Sequence, residues 1–169
     1  MFEYNEVSDA IDNLIKLNMK IRKNLDPDIR MNISAGSFAV DFCTVRFNIG
    51  RRVGKTRYIE EHADDHSLTI VANHHIRRNL RNTKGMIFTA HEIDSGGLYI
   101  QNQTRYLDGD SKFSGVDHYK SDGKIFGFTR VYVDEPSFVF KDKNHMLDIY
   151  HIICRLNRNT TPTFILLGS

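Results

Sequence analysis

The run Gly50-Arg51-Arg52-Val53-Gly54-Lys55-Thr56 follows an apolar stretch, Phe42 to Ile49. A strand, a tight basic loop and Gly-Lys-Thr opening a helix is the order in which a chain builds a cradle for nucleotide phosphates. Gly54 lets the backbone approach an anion, and the amides from Arg52 to Thr56 point at it from a helix N-terminus. Lys55 would reach the terminal phosphates, and the Thr56 hydroxyl would ligand magnesium. The loop is a variant: the usual pattern has glycine, four residues, then Gly-Lys-Ser/Thr, whereas here Gly50 comes one residue late and Ile49 takes the first glycine's place.

A cradle of this kind needs an acid, and Arg130-Val131-Tyr132-Val133-Asp134-Glu135 supplies two. Asp134 ends an apolar strand, where it can hold magnesium directly or through water. Glu135 follows on the other side of the strand end and is placed to polarise a water for attack on the terminal phosphate. A plainer reading exists for each group. Lys55 and Thr56 could be ordinary helix-start residues, and Asp134 and Glu135 a cap before Pro136, since proline suits the first turn of a helix. Both motifs in the right order, each after an apolar strand, point to a magnesium-dependent nucleoside triphosphatase using ATP and Mg2+.

The elements needed to position these groups are legible as alternating strands and helices. Val7 to Asn24 has apolar residues at mostly helical spacing and basic residues toward its end, and Asp26-Pro27-Asp28 stops it. Met31 to Ser37 reads as a loop. Phe42 to Ile49 is the first strand, Arg57 to His66 continues the helix begun by Gly-Lys-Thr, and Ser67 to Ala72 is the second strand. A basic helix from His74 to Arg81 precedes a third strand, Met86 to Ala90, and Gly96 to Tyr106 adds a strand or hairpin. Leu107 to Lys124 reads as loops. Phe128 to Asp134 is a strand, Asp142 to Asn157 an amphipathic helix, and Pro162 to Leu167 a last strand with both faces apolar. Such alternation predicts an α/β fold: a mainly parallel sheet with helices on both faces.

Bulk properties set the outer limits. The 169 residues suit one compact domain, with residues 1–41 as an N-terminal helix and lead-in and 42–169 as the nucleotide-binding core. Hydrophobic residues make up 40% and charged residues 26%, a globular composition. A net charge of +2 is too mild to diagnose nucleic-acid binding, so any basic surface must be local. Cys43 and Cys154 lie in apolar stretches and read as buried thiols in a reducing compartment. No apolar run is long enough for a bilayer and the N-terminus is unlike a secretory signal, which leaves a cytoplasmic location and no membrane partner as the expectation.

Other features carry less. His62 and His66 flank Asp64 and Asp65 on a helix but lack a third ligand at a metal-site spacing. His74, His75, Arg77, Arg78 and Arg81 form either a nucleic-acid face or a solvated one. Asp108-Gly109-Asp110 is a turn, lacking the later ligands of a calcium loop.

With the motifs in hand, the chain resembles the ATPase domain of phage large terminase subunits, the DNA-packaging motors. Gly50 to Thr56 looks like that family's variant phosphate loop, Val131 to Phe138 like its acidic strand and the residues after it, Thr163 to Ser169 like its following strand, and Leu68 to Asn73 like its second strand. The resemblance runs through short motifs from about Phe42 to Ser169. It implies a RecA-like P-loop NTPase core in which the strand Thr163 to Leu167 is inserted between the phosphate-loop strand and the acidic strand. It also implies that Gly168 or Ser169 senses the terminal phosphate, and that an arginine stabilises the transition state, with Arg51 and Arg52 as candidates and Lys124 and Arg130 as others. The implied partners are double-stranded DNA and a neighbouring subunit, a second copy or another protein, that completes the site. Two departures stand out: no nuclease domain is expected in 169 residues, and the family's adenine-reading glutamine has no clear counterpart in Val7 to Asn24. Alternatives are a non-hydrolysing nucleotide-binding assembly or regulatory protein and a small kinase, for which Leu107 to Lys124 would be the only lid.

Overall fold

The computed structural model describes residues 3–48, 50, 53–98, 127–157 and 161–168. The expected Gly96–Tyr106 strand or hairpin, the Leu107–Lys124 loops, Arg51, Arg52, Lys124 and Ser169 fall wholly or mostly outside them.

Five strands form one sheet: β1 (Thr44–Phe47), β2 (Ser67–Val71), β3 (Met86–Thr89), β4 (Arg130–Asp134) and β5 (Thr163–Leu167). Every pairing is parallel and the order is β1-β5-β4-β2-β3. The last strand in sequence therefore lies between the phosphate-loop strand and the acidic strand. Its register runs Thr44 to Phe164 on one side and Arg130 to Thr163 on the other. Burial explains the placement. All five β5 residues are buried, as only an interior strand covered on both faces can be.

The alternation of side chains divides the core in two. Leu68, Ile70, Val131, Val133, Phe164 and Leu166 point to one face with Phe38, Ile149, Tyr150 and Ile153. These partners come from α3 (Ala35–Phe42) and α8 (Lys143–Leu156). Val45, Phe47, Tyr132, Ile165 and Leu167 point to the other, against Val7, Ile11, Ile15, Tyr58 and Ile59. Those come from α1 (Tyr4–Lys23) and α4 (Lys55–His62). Helices thus cover both faces, as the sequence pattern requires.

Local chemistry sets the helix ends. Glu3 and Glu6 close a capping box on α1. Asp142 accepts from the His145 amide at 2.8 Å to start α8. Asn73 and Thr89 likewise cap α5 (His74–Asn79) and α6 (Ala90–Asp94). One expectation is corrected here. Met31 to Ser37 is not a loop: α2 (Pro27–Asn32) and α3 occupy it, separated by Ile33 and Ser34. Asp26-Pro27 does lie beyond the end of α1, but it also starts α2, with Asp26 as N-cap accepting from the Asp28 amide and Pro27 in the first turn. Ser34 then caps α3 by accepting from the Ser37 amide at 3.2 Å. The first strand consequently begins at Thr44 rather than Phe42.

Cys43 and Cys154 are both free and buried, and burial raises both thiol pKa values, that of Cys154 to about 12, which leaves them unreactive.

Candidate functional site

Because the strands are parallel, the C-terminal ends of β1, β5 and β4 share one edge of the sheet. Ligands of open α/β sheets bind at that edge. Two backbone hydrogen bonds hold the three ends in step: the Gly168 amide donates to the Phe47 carbonyl and the Glu135 amide to the Leu167 carbonyl, each at 2.9 Å.

Gly54 occupies the N-cap position of α4 with φ 86° and ψ 19°, a left-handed conformation that glycine adopts without strain. Gly50 also has positive φ, 97°. Lys55 is the first residue of α4 and is 7% exposed. Its Nζ lies 2.5 Å from Glu135 Oε1, a buried-to-half-buried ion pair across the strand ends. Thr56, the next residue, is exposed on the first turn of the helix.

Asp134 ends β4 and is 6% exposed. Its carboxyl pKa is raised to about 6, first by burial and second by the adjacent negative charge of Glu135, with Lys55 opposing. Two carboxylates thus crowd one ammonium. That donor set fits a divalent cation, whose charge would offset the excess and favour ionised Asp134. Among the described residues no group of three or more His, Cys, Asp or Glu side chains clusters as a protein-only metal site. A magnesium here would therefore rest on Asp134, Thr56, water and phosphate oxygens.

Glu135 holds the N-cap position of α7 (Pro136–Val139), where the plainer sequence reading puts a capping carboxylate. Its side chain makes no cap hydrogen bond; it turns to Lys55 instead. Glu135 is also the one non-glycine residue with positive φ among those described, at 56°. Strain of this kind marks over-determined positions, often in functional sites. Gly168 accounts for part of the constraint. A β-carbon there would fall on the Glu135 carboxylate, 2.7 Å from Cδ and 3.1 Å from Cα, and Gly168 itself has φ 126°. Bare backbone at Gly168 makes room for the Glu135 side chain.

Tyr4, at the start of α1, is a neighbour the sequence did not disclose. A β-carbon on Gly54 would meet the Tyr4 ring at 2.6 Å. The Arg57 guanidinium lies 4.0 Å from the centre of the same ring, and the Tyr4 hydroxyl donates to Glu61 at 2.5 Å. Below it, the Tyr58 hydroxyl donates to Asp12 at 2.6 Å. These contacts fasten α1 to the helix that carries Lys55. No local pattern foretells them, since Tyr4 and Gly54 are joined only by packing.

The structure thus brings Gly54, Lys55, Asp134, Glu135 and Gly168 together, with Thr56 and Val53 alongside in sequence. Arg130 is not among them. It opens β4, at the far end of the strand from Asp134, where it bonds the Tyr132 hydroxyl at 3.5 Å. Its guanidinium is thereby remote from any phosphate held at Lys55, and Arg130 is withdrawn as a transition-state group. Arg51, Arg52 and Ser169 lie outside the described residues. His62 is committed elsewhere: its Nδ1 lies 3.0 Å from the Tyr58 carbonyl and its ring stacks on Tyr58. Comparison with protein-family models, with curated proteins and with solved structures returns no match for this chain.

Proposed function

We propose that this chain is a magnesium-dependent ATPase with a RecA-like P-loop core. The observation that carries the reading is the meeting of Lys55, which follows a left-handed glycine at the start of the helix after β1, with Glu135 at the end of β4, the next strand but one in the parallel sheet. β5 between β1 and β4 supports the same reading, as does buried Asp134 beside the pair.

In this reading the loop amides and Lys55 bind the β- and γ-phosphates of ATP. Thr56 and Asp134 would hold magnesium, which supplies charge neutralisation for the phosphate oxygens. Lys55 must leave Glu135 to reach phosphate, and that exchange releases Glu135 as a general base. Glu135 then takes a proton from a water whose oxygen bonds to the γ-phosphorus while the bond to the β–γ bridging oxygen breaks. ADP and inorganic phosphate are the products. By resemblance to packaging motors, double-stranded DNA is the polymer proposed to stimulate turnover, and the site is completed by a neighbouring subunit. Among the described residues no helix is long and apolar enough to cross a membrane.

The test is phosphate release from MgATP by wild type, Lys55→Ala and Glu135→Gln, with and without double-stranded DNA. Release that requires Lys55 and is lost in Glu135→Gln, with ATP binding retained by Glu135→Gln, is the expected result. Binding without release in wild type would replace the ATPase by a nucleotide-gated assembly protein. Equal turnover in Glu135→Gln would remove Glu135 as the base.

A further inference from the structure

At the edge of the sheet opposite the phosphate loop, α1, α2 and α3 bound an open cavity of about 590 Å³. Arg22 fixes its place. The guanidinium donates to Thr163 Oγ1 at 3.0 Å and to the Thr161 carbonyl at 2.9 Å, at the start of β5. Such a volume is ordinary for a small-molecule site. It holds roughly twenty non-hydrogen atoms at a water's share of about 30 Å³ each. Phe38, 5% exposed, gives it an aromatic floor, and Met19, Leu25 and Met31 give it apolar walls. Flexible thioethers let such walls fit guests of different shape.

Three cations line the same space, Arg22, Lys23 and Arg30, against one acid, Asp26. Asp26 is committed to the fold: it is the N-cap of α2 and accepts from the Asp28 amide at 2.9 Å. Two of the cations are held in place without a guest. Arg22 uses two of its five N–H donors on the start of β5, which leaves three. The Arg30 guanidinium lies 5.6 Å from the centre of the Phe38 ring. Both charges reach Cys43, the residue after α3, where burial raises the thiol pKa and Arg22 and Arg30 each act to lower it. Among the described residues neither Lys23 nor Arg30 has an ion-pair partner. Cations in the last turns of α1 and α2 suit the helix dipoles, which accounts for their type. It does not account for three of them lining one space with apolar walls.

We propose that this cavity binds a small amphipathic anion, a molecule with a carboxylate or phosphate head on an apolar body. Arg22 and Arg30 take the head, with Lys23 beside them, because a planar guanidinium meets two oxygens at once. Met19, Leu25, Met31 and Phe38 take the body. The excess positive charge rejects cationic guests, and the apolar walls favour a guest with a body over a bare inorganic anion. The cavity lies at the other end of the strands from Lys55 and Glu135 and does not rest on reading those residues as an ATPase.

Anilinonaphthalene sulfonate, an anion on an aromatic body that fluoresces in apolar surroundings, is the probe. It is expected to bind wild type saturably, one molecule per chain. Octanoate and octyl phosphate are expected to displace it, the tighter of the two naming the head, and octanol to do so at least about tenfold less well. Lys23→Gln with Arg30→Gln should weaken probe binding by about tenfold or more, with far-UV circular dichroism unchanged. Met31→Glu, at a position 75% exposed, should do the same by setting an acid in the cavity. Displacement by octanol as good as by octanoate would remove the anion site. Displacement by MgATP would put the probe at the phosphate loop and overturn the proposal. Binding that never saturates, or that neither the double variant nor Met31→Glu weakens, would also overturn it.

Discussion

Lys55 and Glu135, 80 residues apart in sequence, meet at 2.5 Å where the ends of β1, β5 and β4 converge. Lys55 is almost wholly buried and Glu135 about a quarter exposed, so neither group is fully hydrated and each is held by the other's charge. The pair therefore has a stability role separate from any chemistry.

Removing one partner exposes that role. Lys55→Met removes the Lys55 charge from a partly buried Glu135, at a cost of about 2 kcal/mol, below the loss for a fully buried pair because Glu135 keeps some water. Lys55→Met with Glu135→Gln should recover most of the loss. Urea unfolding of wild type, both single variants and the double variant gives the coupling, and strict additivity would deny the pair.

Gly168→Ala tests how Glu135 is held. The new β-carbon would fall on the Glu135 carboxylate, and the residue keeps φ at 126°. Gly96→Ala is the control, since Gly96 also has positive φ, 80°, but among the described residues no heavy atom beyond its chain neighbours lies within 4 Å of the added carbon. Both should lose about 1 kcal/mol or more to backbone strain. Only Gly168→Ala should lower phosphate release at saturating ATP, by about tenfold or more, if Glu135 is the base. Equal activities would show that the crowding at Gly168 is without consequence.

Asp134 makes stability depend on pH. Its carboxyl titrates near 6 in the folded chain and near its ordinary value of 3.8 when unfolded. Between these values the folded state holds the extra proton, so this group's contribution falls as pH rises from about 4 to 6. Two units correspond to about 3 kcal/mol. In chelator, Asp134→Asn should abolish that fall and make the protein more stable than wild type at pH 7. Magnesium should raise the melting temperature of wild type more than that of Asp134→Asn. Parallel pH profiles for the two proteins would refute the assignment.

Tyr58→Phe probes the fastening of α1. The Tyr58 hydroxyl donates to Asp12 at 2.6 Å, and burial followed by that bond pushes its pKa above the ordinary tyrosine value. Deleting the hydroxyl should cost about 1 kcal/mol, read by denaturant unfolding, with the packing of the ring against Tyr132 kept.

Much of this architecture was legible in the chain. Gly54-Lys55-Thr56 and Asp134-Glu135 carry their chemistry in residue type and order, and strand alternation follows from burial on one face or two. The unbroken apolar run Phe164 to Leu167 required an interior strand, and a resemblance carried by short motifs put it between β1 and β4, where it lies. Met31 to Ser37 misled because Gly36 reads as a loop residue. In the fold it is the buried glycine of α3, packed so closely on His151 that a β-carbon would strike the ring.

What the amino-acid order determined by itself was local: the helix caps, the strand alternation, and the glycines where the backbone must turn left-handed. These depend on groups a few residues apart, whose interactions survive without the rest of the chain. Tertiary structure alone decided that Glu135 would pair with Lys55 rather than cap α7, that Tyr4 would lie on Gly54, and that Arg130 would stand at the wrong end of its strand. Each of those outcomes depends on which strand ends share an edge and which groups lose water together. Burial and charge act through space, and no spacing along the chain encodes them.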